Sequence, residues 1–102
     1  MNILYYNNQV KEELDGATSY IKKAIDIKKD HPTWAQMYQK MSMAELGHAN
    51  DLMKIFEEDY KAETTGMNPI PSYLCDIRKS IMDMYQEFAS KVNYMHELYN
   101  KA

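Results

Sequence analysis

Cysteine is nearly absent from this 102-residue chain, which carries only Cys75. One thiol cannot close an internal disulfide, and it cannot build the Cys-rich zinc or rubredoxin-type iron sites that take most of their ligands from sulfur. Chain breakers are scarce, with three Gly and three Pro, and valine occurs only at Val10 and Val92, whereas Met is abundant at nine residues. That balance disfavours strand and favours helix, so an all-α fold is expected. No apolar run approaches the ~20 residues of a membrane span, and the opening MNILYYNNQVKEEL has neither a basic stretch nor a cleavage site. A cytoplasmic protein without a membrane partner is expected. The net charge of -3 is spread over interspersed acids and bases. No basic stripe exists to neutralise phosphates, so nucleic acid is not an expected partner.

The few interruptions divide the chain into three helices that must share one core, because no segment is large enough to bury a core alone. Asn7 or Asn8 suits the cap of a first helix over about 8–29, with Glu12 and Glu13 in its first turns, where negative charge favours the helix dipole. Asp30-His31-Pro32 ends it, since proline disfavours helix in the residue before it and fits the first position of the next one. A second helix is expected over about 32–62. The stretch from Glu63 to Pro71 holds one Gly and two Pro and reads as the loop. Ser72 then caps a third helix over about 72–100. The whole of 1–102 is expected to be a single domain.

Steps of three and four residues place Val10, Glu13, Ala17, Tyr20, Ala24 and Ile27 on one stripe of the first helix. On the second they align Trp34, Tyr38, Met41, Glu45, His48, Leu52 and Phe56, and on the third Leu74, Ile77, Ile81, Met84, Phe88, Val92, Met95 and Leu98 or Tyr99. Two carboxylates and an imidazole thus interrupt otherwise apolar faces, and an unpaired buried carboxylate costs several kcal/mol. If the first two helices form an antiparallel hairpin about Asp30, Glu13 lies 17 residues before the turn, Glu45 15 after it and His48 18 after it. All three then converge ~25 Å from the turn. Glu45 and His48, three apart, share a helical face, and a carboxylate–imidazole set suits iron or manganese. Gly16 and Gly47 flank these ligands, each costing roughly 1 kcal/mol relative to Ala inside a helix, which suggests close helix approach.

These residues resemble the ferritin-like superfamily, in particular rubrerythrin-like and encapsulated-ferritin-like proteins, over roughly residues 8 to 60. Glu12-Glu13-Leu14-Asp15-Gly16-Ala17-Thr18-Ser19-Tyr20 is similar to the family's first ligand helix, in which the liganding glutamate precedes a tyrosine by seven. Met43-Ala44-Glu45-Leu46-Gly47-His48-Ala49 resembles its E-x-x-H helix with a trailing alanine. The resemblance implies Glu13, Glu45 and His48 as metal ligands and catalytic residues of a dinuclear iron site. A full site takes a glutamate from two helices and an E-x-x-H from two others, and this chain has one of each. Asp83, Glu87 and Glu97 lie off the third helix's apolar stripe, so the other half is expected from a second subunit about a two-fold axis. Glu45 and its mate would then bridge the metals, with Glu13 and His48 terminal.

The implied protein is a homo-oligomer, a dimer or a multiple of dimers with a four-helix core completed by dimerisation, acting as an iron-binding ferroxidase with manganese as the other metal the ligands suit. The tail NYMHELYNKA does not resemble an encapsulin targeting peptide. The competing expectation is a non-enzymatic helical scaffold that retains the hairpin around a degenerate site. Tyr20, Tyr38, Trp34 and the methionines read as packing residues, His31 as a turn residue, Cys75 as a half-buried thiol and His96 as a surface residue without H-E-x-x-H spacing.

Overall fold

Asn2 sets where the first helix begins: its Oδ1 accepts the backbone N–H of Tyr5 at 3.1 Å, satisfying one of the donors that a helix N-terminus leaves unpaired. In the computed structural model, which describes residues 2–102, α1 therefore spans Ile3–Ile27 and not 8–29. Asn7 and Asn8 lie inside it. The earlier start follows from the apolar period continuing backward from Val10 through Tyr6, which packs edge-on against Phe56 with ring centroids 5.4 Å apart and donates its hydroxyl to Asp59 at 2.8 Å. The helix ends at Ile27, and α2 (Pro32–Thr64) starts with Pro32 in its first turn after a His31 N-cap whose side chain makes no capping bond. Gly66, at φ +84°, takes the left-handed conformation just beyond the end of α2. The third helix, α3, spans Ser72–Lys101 with Pro71 as N-cap, so Ser72 is its first residue and not its cap.

Side-chain contacts define the register. Ser42 reaches Ala17, Glu45 lies over Gly16, His48 meets Glu13 and Asp59 meets Tyr6, so α1 and α2 are antiparallel and turn about Asp30. Arg78 pairs with Glu57, Tyr85 with Asn50 and His96 with Ser42, so α3 runs antiparallel to α2. The result is a rod of 58 × 16 × 16 Å, little longer than α2 alone. No helix is long and apolar enough to cross a membrane among the described residues.

The buried face differs from the expected stripe by a rotation. Val10, Leu14, Ala17, Ile21 and Ala24 face inward from α1, and Ala35, Ser42, Ala49 and Phe56, spaced by seven, face inward from α2. Leu14 and Ile21, not Glu13 and Tyr20, occupy the core. Of the stripe expected on α2, Phe56 is fully buried, whereas Trp34, Met41 and His48 are exposed. The physical reason is the seam between α1 and α2: helix axes approach closely where side chains are small, so Ala and Ser go inside although larger apolar residues lie one position away. On α3 the expected stripe holds at Leu74, Ile81, Val92 and Tyr99, which are buried, and Tyr99, not Leu98, continues it.

Candidate metal centre

Helix geometry brings the three predicted ligands together. Glu13 on α1 and Glu45 and His48 on α2 present ligand atoms that all lie within 4.8 Å of one another, the one such group of three or more His, Cys, Asp or Glu among the described residues. Oxygen and nitrogen ligands about one divalent ion at ~2.1 Å stand roughly 3 to 4.2 Å apart, so the cluster needs only small side-chain movements to close on an ion. Gly16 makes this approach possible. A Cβ there would lie 3.3 Å from Glu45 Oε2. Gly47 has no such role, since a Cβ on it meets nothing within 4 Å and it faces the cleft between α2 and α3.

The electrostatics are those of an acidic pair short of positive charge. Glu13 Oε2 is shut off from solvent and accepts no hydrogen bond, and His48 Nδ1 stands 3.4 Å from it. No Lys or Arg forms an ion pair with Glu13 or Glu45 among the described residues. Glu45 is held above the usual carboxylate range, first because a proton shared with Glu13 is favoured, then by burial and by the Glu13 charge, with the Glu12 charge adding to the effect and His48 opposing it. Two facing carboxylates that cannot both ionise cheaply gain most from a divalent cation, which replaces the shared proton.

The acids are not buried in the core of the chain: Glu13 is 25 % exposed and His48 59 %, because they lie one helical step around from the buried stripe. Burial cost therefore does not by itself demand a metal. What the fold does supply is convergence on a face turned away from α3. On that face Trp34, Met37, Met41 and Ile55 are exposed, and Tyr20 and Tyr38 pack with ring centroids 6.2 Å apart. On α3, Asp83 and Glu87 pair with Lys79 and Lys91 on the surface and supply nothing to the cluster.

Two polar residues differ in exposure from what their sequence positions predict. His96 is half-buried, not a surface residue, with Nε2 2.9 Å from Ser42 Oγ; the missed signal was Ser42, a hydroxyl in the seven-residue series of small buried side chains. Cys75 belongs to an exposed residue, though the Tyr60 hydroxyl points at its Sγ from 4.0 Å. No protein-family model, curated protein or solved structure matches the chain.

Proposed function

We propose that two copies of this chain pair through the face that carries Glu13, Glu45 and His48, forming a ferritin-like site with six protein ligands for two metal ions, and that the assembly oxidises Fe(II). The observation that carries the reading is the convergence of Glu13, Glu45 and His48, with no Lys or Arg among the described residues to balance the two acids, at the centre of an exposed apolar stripe. Three ligands leave an ion half-coordinated, and a two-fold axis through the site would give two ions six side chains between them, with carboxylates close enough to be shared. The same axis finds partners for the exposed apolar residues. Trp34 lies 11 residues before Glu45 and Ile55 lies 10 after it, so antiparallel α2 helices crossing at Glu45 set Trp34 level with Ile55 of the partner subunit. Tyr38 and Leu52, each seven from Glu45, meet by the same rule.

In this assembly Glu13, Glu45 and His48 of each copy would hold the ions between the two chains. Iron, when bound, supplies the electrons that pass to dioxygen or peroxide; manganese suits the same ligands. The protein's residues hold the geometry and neutralise the added positive charge. Anaerobic Fe(II) titration followed by oxygen addition tests the reading. The wild-type protein should take up about one Fe(II) per chain and consume oxygen, and Glu45→Ala should lose both while keeping its helical circular dichroism. Equal iron uptake by the two proteins would leave the hairpin as a dimerisation scaffold and remove the enzyme reading.

A further inference from the structure

The three helices meet at one polar point. Ser42 Oγ donates to the Ala17 carbonyl at 2.6 Å and stands 2.9 Å from His96 Nε2. A serine hydroxyl has one proton, and it is committed to Ala17, so Ser42 accepts from His96 and Nε2 carries the hydrogen. The chain His96 → Ser42 → Ala17 thus ties α3 to α2 and α2 to α1 in the half of the rod nearer the turn. It also separates two apolar clusters. On one side is a large one that includes Leu14, Met53, Phe56 and Ile81; on the other, toward the turn, is a small one of Ile21, Ala24, Ala35 and Tyr99.

We propose that this polar chain is a proton-operated clasp, which holds the C-terminal part of α3 on the turn end of the hairpin while His96 is neutral and releases it when His96 is protonated. An imidazolium could still donate to Ser42, so protonation acts through solvation. The cleft of about 480 Å³ beside His96 is lined by the amides of Gln39, Asn50, Asn93 and Asn100 and by Tyr85, the only other titratable group there, with no charged side chain. From α1 the group that reaches this point is the Ala17 carbonyl, held by Ser42. A charge in that setting has no counter-ion. Burial accordingly lowers the His96 pKa from its ordinary value, and the open cleft gives the charged ring a route to water.

Once His96 leaves, the small cluster retains little to hold α3. Met95 and Tyr99 are its contributions, with the Lys28 ammonium on the Tyr99 carbonyl and ring. The clasp stands apart from the proposed metal centre and does not depend on it.

Amide hydrogen exchange of residues 92–101 in the metal-free protein tests the clasp, with intrinsic pH effects removed and His96 followed by its own imidazole NMR signal. Between about pH 7 and about pH 5, protection of these amides should fall about tenfold for each unit by which the free and clasped His96 pKa values differ. His96→Gln retains a donor for Ser42 without a titrating group, and its protection should be unchanged over the same interval. Ser42→Ala removes the acceptor and should exchange fast at both ends. The clasp is refuted if protection in the wild-type protein does not follow the His96 signal, or if His96→Gln loses protection in the same way.

Discussion

Gly16→Ala separates what the hairpin needs to fold from what the carboxylate cluster needs to bind. In a helix interior Ala is favoured over Gly by about 0.5–1 kcal/mol. The added methyl would meet Glu45 Oε2 at 3.3 Å, and its Cδ and Cγ at 3.5 Å. That is a few tenths of an ångström too close for one atom, and the atom is the far end of a flexible side chain. Glu45 therefore yields and the backbone does not, so most of the helical gain survives. The metal-free variant should melt about 2–8 °C higher, since 1 kcal/mol moves the midpoint of a domain this size by about 4–8 °C. Metal binding should move the other way, because the displaced oxygen belongs to a proposed metal ligand; a loss of about ten- to a hundredfold in affinity is expected, as for perturbed ligand orientation elsewhere. Scanning calorimetry of the metal-free protein and isothermal titration with Mn(II) under the same conditions read the two effects. A lower midpoint would show that the helices, not Glu45, absorb the contact, and unchanged affinity would show that Glu45 is not a ligand.

Glu45→Gln should stabilise the metal-free protein near neutral pH. The wild-type carboxyl titrates above its ordinary value, so its ionised form costs stability once the pH rises through the unfolded and folded pKa values, and the cost vanishes below both; urea unfolding across pH should show the two proteins converging in acid. Leu14→Ala, at a fully buried position, should cost about 2–5 kcal/mol by the same assay. Trp34→Ala, at a residue 57 % exposed, should change the stability of the isolated chain by less than about 0.5 kcal/mol while shifting the monomer–dimer equilibrium toward monomer in sedimentation.

The turn about Asp30 and the convergence of Glu13, Glu45 and His48 were legible in the sequence because both depend on residue counting along straight helices, and the Glu13–His48 distance of 3.4 Å agrees with that count. The inward face was not. Hydrophobic periodicity weights Trp34, Met41 and Tyr20 heavily and Ala35, Ser42 and Ala49 hardly at all, yet the small residues lie at the seam where two backbones approach. The result was a stripe rotated by about one residue, which put Glu13 and Glu45 inside. For the proposed assembly the rotation is what allows pairing, since it moves the acids to a face that a second copy could reach. His96 was hidden for a related reason: it is polar, and its partner Ser42 belongs to the stripe that periodicity undervalues. The start of α1 was misplaced because Asn2, Asn7 and Asn8 are equally good caps by type, and the packing of Tyr6 on Phe56 decides among them.

In the proposed assembly the metal site belongs to a pair of chains and not to one. Native mass spectrometry of the protein titrated anaerobically with Fe(II) measures chain number and ion number in the same species. A dimer carrying two iron ions is expected, with Glu45→Ala and His48→Ala free of iron under the same conditions. A protein that remains monomeric at every iron concentration, or that binds iron equally well after either substitution, would contradict it.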